Sequence, residues 1–218
     1  CGSCYAFAFG GSFEARLLVQ SELTDQTVAS TQDIVSCSAY ANGCEGGFPY
    51  LIAKYGQDFG ILPEQYSPYN GTDGVCPADR YGSYARYYIE DYFYVNDDGE
   101  KGYYGATTER GMMKNILKHG PIAVSFEVHR DFMNYKSGIY RHVQKTEQLA
   151  PEPHFVPTNH VVVITGWGIE NGTKYWIVKN SWGTGWGMNG YFLIVRGEDE
   201  CGIESLVPSF VIAKDYQQ

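Results

Sequence analysis

Apolar side chains recur at helical spacing in two stretches of the chain. The first stretch repeats every four positions through Phe9, Phe13 and Leu17. The second carries an apolar face on Met112, Met113, Ile116 and Leu117. Because positions three and four apart share one side of a helix, the pattern predicts helices over 4–20 and 108–118. Two short helices are predicted over 30–37, opened by a capping serine, and over 51–55.

Shorter apolar runs with strand-like spacing dominate the second half of the chain. The predicted strands cover 122–128, 160–167, 174–179 and 190–196. Glycine- and asparagine-rich turns separate the last three, which favours an antiparallel sheet or barrel. Residues 60–105 show little hydrophobic periodicity and predict irregular loops with a few short strands, and the turn at 96–99 marks a boundary between a helical and a β-rich lobe. The polar stretch 141–157 predicts an exposed loop that proteases can cut.

Composition narrows the class of protein. The chain has 218 residues, of which 44% are apolar, enough for one large domain or two small lobes that share a cleft. The net charge is −9 and the basic residues are scattered, which argues against a nucleic-acid partner. The apolar run after His160 is too short to span a bilayer. Because the chain opens on Cys1 in the middle of a motif, we expect a processed chain or part of a longer protein.

Cysteine usage and sequons indicate the compartment. The chain has six cysteines, and if one of them is a free nucleophile an odd number remains, which leaves a second one unpaired. Two Asn-Gly-Thr sequons, at Asn70 and Asn171, are candidate glycosylation sites. Each sequon alone is weak evidence. Together with the cysteines they favour an oxidising compartment that is reached by the secretory route.

Cys4 is the candidate nucleophile. It opens the first predicted helix, where free backbone N–H groups and the positive end of the helix dipole favour a thiolate. A thiol nucleophile also needs a base that takes its proton and a group that orients the base. The remaining sequence can therefore be searched for a histidine with a polar partner.

His160 is the histidine that we favour as the base. It heads the apolar run Val161–Ile164, and a strand entry can hold a side chain in a cleft, although a core histidine remains the alternative. His119 ends a predicted helix and is expected to be structural. Three other histidines fall in turns or loops and are expected to be solvated: His129, His142 and His154.

Asn180 is the candidate orienting group. It closes a predicted strand, and its side-chain oxygen can accept a hydrogen bond from an imidazole N–H and so fix the ring tautomer without adding charge. Trp182 can cover that hydrogen bond and exclude water. The alternative for the Asn-Ser-Trp-Gly stretch is an ordinary turn with a packed tryptophan.

Taken together, these motifs resemble the papain family of cysteine peptidases. The matching stretches are Cys1–Tyr5, Gly43–Gly47, Asn159-His160 and Lys179–Gly187, and the resemblance runs from residue 1 to about 205. It implies an α+β papain-like fold, a single peptidase domain over 1–218. A helical lobe over 1–103 and an antiparallel, β-barrel-like lobe over 104–204 would enclose the cleft, and 205–218 would return to the first lobe.

The resemblance also implies roles for individual residues. Cys4 matches the nucleophile, His160 the general base and acid, and Asn180 the orienting residue. The matching substrate-binding positions are Gly46, Gly47, Phe48, Asn159, Trp182 and Leu206. The implied disulfides are Cys1–Cys44 and Cys37–Cys76, with Cys201 free. The Cys4 N–H would form half of the oxyanion hole, and the family takes the other half from a glutamine before the nucleophile, which lies outside this chain.

Several stretches are most similar to one subfamily, dipeptidyl peptidase I (cathepsin C). They are Gly46–Leu51, Ser67–Asp73, Thr158–His160 and Asp199–Ser205. This resemblance implies removal of dipeptides from free N-termini, an N-terminal exclusion domain from the same precursor, and a possible homo-oligomer. It implies a bound chloride ion at Tyr50 and Tyr69, no metal and no organic cofactor. It also implies a lysosome, an equivalent acidic vacuole or secretion as the destination, and a zymogen cut within 141–157.

Three other functions stay open on the sequence alone. A papain- or cathepsin-type endopeptidase would use the same catalytic groups on the interior of a peptide. An inactive relative would bind peptides without cleaving them, although the retained Cys4, His160 and Asn180 argue against it. A zinc protein built on Cys1 and Cys4 lacks the second pair of ligands that such sites need.

Overall fold

The computed structural model describes residues 1–77, 84–143 and 157–214, and His154 and most of the predicted loop at 141–157 lie outside these ranges. The helices are α1 (Cys4–Gln20), α2 (Thr31–Cys37), α3 (Pro49–Phe59) and α4 (Glu109–His119). The strands are β1 (Ile89–Val95), β2 (Lys101–Gly102), β3 (Ile122–Phe126), β4 (Ile139–Tyr140), β5 (His160–Glu170), β6 (Thr173–Lys179), β7 (Tyr191–Val195) and β8 (Pro208–Ile212). None of the helices in the described ranges is long and apolar enough to cross a membrane.

Helix α1 is the centre of the first core. Its bounds are those that the sequence predicts, and Phe9, Phe13 and Leu17 are fully buried. They pack with residues of α2, α3 and β8, and also with Val161 and Val163 of β5. The nucleophile candidate therefore begins a helix whose position is fixed by packing along most of its length.

Local signals account for the bounds of α2 and α3. The Ser30 side chain accepts a hydrogen bond from the backbone N–H of Asp33 at 2.9 Å, which satisfies one of the free donors at the start of α2. Pro49 suits the first position of α3, where no N–H is required. Gly60 ends α3 with a φ of +73°, a conformation that glycine adopts at low cost. Helix α3 is thus longer than the predicted 51–55.

Helix α4 and strand β3 differ from the predicted patterns of burial. Leu117 was expected on the apolar face of α4 but is 75% exposed, whereas Met112 is fully buried. Every residue of β3 is buried, although the sequence predicts an alternating strand. Ala123 packs into the first core. Ile122, Val124 and Phe126 point the other way and pack into a second core with residues of β5, β6 and β7. A strand between two cores has no solvent-facing side.

The strands form two sheets. The smaller has the order β2-β1-β8, and its β1–β8 pairing joins the first half of the chain to its last described strand. The larger has the order β3-β5-β6-β7-β4. It is antiparallel except for the β4–β7 pair, which is parallel. The α+β class is confirmed, but within the described residues this sheet is open and does not close into a barrel.

Candidate active site

The start of α1 holds a free thiol at a lobe boundary. Cys4 is half-buried and is not in a disulfide. The preceding residue, Ser3, is the N-cap of α1, but its side chain accepts no hydrogen bond from the first turn of the helix. Its hydroxyl instead forms a hydrogen bond of 2.7 Å with the hydroxyl of Tyr69. The first N–H groups of an α-helix have no acceptor inside the helix. The backbone around Cys4 therefore presents donors beside the sulfur.

His160 and Asn180 are brought together by the pairing of β5 with β6. His160 is the first residue of β5 and is 8% exposed. Asn180 follows the last residue of β6 directly. The imidazole Nε2 and the Asn180 Oδ1 are 2.8 Å apart, and the same oxygen accepts from the backbone N–H of Ser181 at 2.8 Å. Two donors meet one oxygen, so Nε2 carries the proton and Nδ1 is left unprotonated in the neutral ring.

An aromatic cluster covers the His160–Asn180 pair. The Trp182 ring lies 5.0 Å from the His160 ring, centroid to centroid, and Phe126 lies 5.9 Å away. Trp182 is itself held edge-on by Trp186 at 5.0 Å. Apolar cover of this kind strengthens the hydrogen bond because it keeps water away from it.

Helix α1 packs on β5, the strand that begins at His160. A hydrogen bond from the backbone of Val161, the residue after His160, lowers the pKa of Cys4, but burial has the larger effect and raises that pKa overall. Burial also lowers the pKa of His160, against a smaller opposite effect of the hydrogen bond with Asn180. Each ion alone is thus disfavoured in the cleft. A thiolate and an imidazolium can form there together if their mutual attraction offsets burial.

The two disulfides are those that the resemblance implies. Cys1 is bonded to Cys44, which ties the residues before α1 to the glycine-rich loop, and Cys37 is bonded to Cys76. Cys201 is free, as expected. Because the Cys1 sulfur is in a disulfide, it is not available as a zinc ligand beside Cys4. Across the three described ranges, no three His, Cys, Asp or Glu side chains are grouped to hold a metal ion.

The glycine-rich loop runs close to the start of α1. Gly46 has a φ of +120°, which disfavours any residue with a side chain. A Cβ on Gly47 would lie 2.8 Å from the ring of Tyr5, so the backbone approaches the helix only because that position is glycine. Phe48 follows and is 57% exposed. The loop thus offers bare backbone next to an exposed aromatic ring.

Residues 1–211 match the family model described as papain family cysteine protease. The chain belongs to the papain family. Fold, disulfides and the Cys-His-Asn grouping agree with that membership.

Relatives within the papain family differ in how much of their length the chain spans. Cathepsin C of Schistosoma mansoni is 47% identical over 211 residues, which cover 94% of this chain but 45% of the relative. Cathepsin B-like cysteine proteinase 4 of Caenorhabditis elegans is 35% identical, over 95% of this chain and 67% of the relative. A digestive procathepsin L2 proteinase from the larval midgut of Tenebrio molitor superposes with a TM-score of 0.80 at 32% identity, covering 97% of this chain and 62% of that one. The chain thus spans less than half the length of the schistosome relative.

The remaining predicted substrate positions, Asn159 and Leu206, lie outside the helices and strands. Asn159 is exposed, but its amide is fixed because its Oδ1 accepts from the N–H of Val128 at 2.7 Å and its Nδ2 donates to the carbonyl of the same residue at 3.2 Å. Leu206 is half-buried. The Asn159 amide therefore ties the residue before β5 to the backbone of Val128.

The two predicted chloride-binding tyrosines have separate neighbours. The Tyr50 ring stacks on Tyr94 at 4.5 Å and meets Tyr92 edge-on at 4.9 Å. The Tyr69 ring meets Phe7 edge-on at 4.8 Å, and its hydroxyl is shared with Ser3. Within the residues that the structure describes, no hydrogen bond or ring contact joins Tyr50 to Tyr69.

The structure corrects one prediction about histidines. His129 and His142, expected to be solvated, stack with ring centroids 3.8 Å apart. His142 Nδ1 lies 3.0 Å from both carboxylate oxygens of Asp131, and His129 Nε2 lies 3.6 Å from a carboxylate oxygen of Glu127. Thirteen positions separate the two histidines and their contact depends on how the chain between them folds, so the loop-like sequence around each one does not predict it.

Asn70 and Asn171, the two sequon asparagines, are both exposed. Asn171 sits in the turn between β5 and β6 with a φ of +48°. Asn70 Oδ1 accepts from the backbone and the hydroxyl of Thr72 at 3.0 and 2.8 Å. Both side chains are accessible from solvent, as a modification site requires.

Sequence reasoning missed two features of the site. The first is the backbone of Val161 as a hydrogen-bond partner of the Cys4 sulfur. The second is the Nδ2 of Asn180, which is buried and has no hydrogen-bond partner within the described ranges. Neither leaves a signal in a motif, because one is main chain and the other depends on how a loop closes.

Proposed function

We propose that this chain is the catalytic part of a cysteine peptidase that removes dipeptides from the free N-termini of peptides and proteins. The observation that carries the chemistry is the 2.8 Å hydrogen bond between His160 and Asn180 beside the thiol of Cys4. The exopeptidase assignment rests on the motifs of the glycine-rich loop and of 199–205, and on the similarity to cathepsin C of Schistosoma mansoni.

The proposed reaction is acyl transfer in two steps. In the first, the Cys4 thiol gives its proton to His160 Nδ1 and the sulfur attacks the substrate carbonyl carbon. A C–S bond forms, and the peptide C–N bond breaks as Nδ1 gives that proton to the leaving amine. In the second, water gives a proton to Nδ1 and attacks the thioester carbon, so that the C–S bond breaks, the dipeptide leaves and the thiolate–imidazolium pair is restored. Asn180 is a positioning residue, since it holds Nε2–H while Nδ1 exchanges protons.

The oxyanion of each step needs hydrogen-bond donors. The Cys4 backbone N–H, at the free start of α1, is our candidate for one of them. The family resemblance assigns the second to a glutamine before the nucleophile in the full protein. Loss of one oxyanion donor lowers kcat by a factor of about 10²–10³ in a peptidase of another family. Activity should therefore be measured with the full protein, which would supply both donors.

Substrate binding would use main chain more than side chains. Gly46 and Gly47 can pair with an extended peptide in the manner of an added strand. Phe48 and Leu206 offer apolar contacts, and Asn159 and Trp182 border the His160 side of the cleft. An exclusion domain from the same precursor would close the cleft beyond two residues and bind the substrate's amino group. We also propose that the full protein forms a homo-oligomer. Its proposed destination is a lysosome, an equivalent acidic vacuole or the outside of the cell.

Chloride binding at Tyr50 and Tyr69 fits the donors present only in part. A halide is bound by O–H and N–H groups, and both residues carry a hydroxyl. The Tyr69 hydroxyl can point its proton outward only if Ser3 is the donor in their shared hydrogen bond. We retain the site as a proposal in which Tyr50 and Tyr69 donate to the ion.

Matched substrates separate an exopeptidase from an endopeptidase. The full protein is incubated with one peptide that has a free N-terminus and with the same peptide acetylated, and products are identified by mass spectrometry. We expect successive dipeptides from the free peptide and no cleavage of the acetylated one. Interior cleavage of the acetylated peptide would replace our proposal with the endopeptidase alternative. A Cys4→Ser variant serves as the control for contaminating peptidases.

An inactive relative would give a different result. It would cleave neither peptide, and a peptidyl epoxide would form no covalent adduct at Cys4. An adduct without cleavage would instead locate the fault in the choice of peptide or in the second oxyanion donor. The four outcomes can therefore be told apart.

A further inference from the structure

A cationic cavity lies at the end of α1 that is distant from Cys4. Arg16 lines it, twelve residues after Cys4, which places the two about 18 Å apart along the helix axis. The cavity has a volume of about 230 Å³. The charged or titratable residues that line it are Arg16, Lys118, His119, Lys214 and Glu90. The protein as a whole carries a net charge of −9, so a cavity with an excess of cations is unexpected.

Arg16 is a buried cation without a carboxylate partner. It is 3% exposed, and its guanidinium donates to the carbonyl oxygen of Pro121 at 2.9 Å, to Ser209 Oγ at 2.8 Å and to Asn115 Oδ1 at 3.1 Å. A fourth bond goes to the carbonyl of Phe210. A guanidinium has five N–H groups, so one on Nη2 remains. Among the described residues no carboxylate lies within 4.0 Å of it, whereas buried charges are usually paired.

His119 adds a second unsatisfied group to the same cavity. Its Nε2 is buried and has no hydrogen-bond partner in the described part of the chain. Burial lowers the pKa of His119, the charges of Arg16 and Lys118 lower it further, and Glu100 opposes them. A buried imidazole nitrogen without a partner costs free energy. An acceptor that carries negative charge would satisfy it and offset the two neighbouring cations.

The remaining charges leave the cavity positive. Lys118 is paired with Glu100 at the cavity's edge. Lys214 is exposed and has no ion pair within the described ranges. Glu90 is the acidic side chain among the lining residues, and it offsets one cation. One positive charge thus remains in excess when His119 is neutral, and protonation of His119 adds a second.

We propose that this cavity binds a small monovalent anion between the Arg16 Nη2 and the His119 Nε2. Elements from both cores meet there, since Arg16 lies on α1, His119 ends α4, and the acceptors Ser209 and Phe210 lie on β8. A bound anion would therefore strengthen the contact between the two lobes. The site is separate from the catalytic grouping and stands independently of the proposed function.

Bromide is the probe that we would use. The full protein, with ¹³C-labelled histidine, is titrated by NMR in a zwitterionic buffer with and without sodium bromide, and a His119→Gln variant assigns the resonance. We expect bromide to raise the pKa of His119 by about one pH unit, because an opposite charge within 4–6 Å favours the imidazolium. His129 and His142, which lie elsewhere, report general salt effects in the same sample.

Charge variants provide the matched controls. Lys214→Gln should weaken bromide binding about two- to fivefold, as expected for an exposed charge, and Lys136→Gln, another exposed lysine, should leave it unchanged. Arg16→Met tests the main cation, and should abolish the bromide effect if the variant folds. The proposal is overturned if the pKa of His119 does not move, if all histidines move equally, or if Lys136→Gln weakens binding as much as Lys214→Gln.

Discussion

His160 Nε2 lies 2.8 Å from Asn180 Oδ1, and the first atom belongs to the start of β5 while the second follows the end of β6. The hydrogen bond joins two neighbouring antiparallel strands in the interior of the larger sheet, at the end where β5 begins and β6 ends. It fixes the imidazole so that Nδ1 is free for proton transfer. The geometry of the proposed base thus depends on the pairing of two strands and on Trp182, which covers the ring.

Removal of the Asn180 amide should change both the rate and its pH dependence. In Asn180→Ala we expect kcat/KM to fall about tenfold or more, since a buried hydrogen bond contributes about 0.5–1.5 kcal/mol and the ring also loses its orientation. The hydrogen bond raises the pKa of His160. Its loss lowers that pKa, so the basic limb of the kcat/KM profile should move to lower pH.

Asn134→Ala is the matched control, because Asn134 is an exposed asparagine in a short 3-10 turn. It should leave rate and profile unchanged. A normal pH profile in Asn180→Ala, with a reduced rate, would mean that Asn180 supports the fold of the loop and not the imidazole.

The Cys37–Cys76 disulfide should contribute substantially to stability. It closes a sequence separation of 39 residues. The chain-entropy estimate for a loop of this size is about 4 kcal/mol, and measured effects are commonly about 2–4 kcal/mol. Denaturant unfolding of the Cys37→Ser/Cys76→Ser double variant should show a loss in that range. Cys201→Ser removes a free thiol and should cost much less, so equal losses would rule out the disulfide as the cause.

Breaking a buried ion pair should lower the free energy of unfolding far more than breaking an exposed one. Arg86 and Asp33 are each 4% exposed and lie 3.2 Å apart, and Tyr55 also donates to Asp33 at 2.6 Å. Arg86→Leu leaves the Asp33 charge buried, so we expect a loss of about 3–5 kcal/mol.

Lys54→Ala breaks the exposed pair with Asp58 and should destabilise the fold far less than Arg86→Leu, because solvent screens the pair. Both variants would be measured by denaturant unfolding. A small loss in Arg86→Leu would show that Asp33 takes up a proton or reaches solvent when its partner is removed.

Helices and strands with a strong period could be predicted closely from the sequence. The bounds of α1 follow from Phe9, Phe13 and Leu17, because one face of the helix is buried along its whole length. The hydrophobic pattern is less informative where both faces of a strand are buried, as in β3. It also misleads where an apolar side chain such as that of Leu117 is exposed to solvent. Those cases depend on which elements pack against a segment, and local pattern does not contain that information.

The candidate site could be predicted only where family motifs identify residues. Cys4, His160 and Asn180 follow from motifs, and the structure groups His160 with Asn180 by direct contact. The stacked pair of His129 and His142 could not be predicted, because it joins two loops whose sequences carry no common period. The hydrogen bond between the Val161 backbone and Cys4 could not be predicted either, because main-chain groups do not depend on the residue type.

The pH dependence of Cys4 alkylation tests the central claim, that His160 and Cys4 act as an ion pair. The rate of reaction with a thiol-directed reagent is followed by mass spectrometry in the full protein and in His160→Ala. Cys201 is the internal reference, because burial and Glu200 raise its pKa to about 12. We predict fast Cys4 labelling that persists at pH 5 in the native protein and is lost in His160→Ala. Labelling of native Cys4 that rises only above its ordinary thiol pKa, with no effect of His160→Ala, would contradict the account.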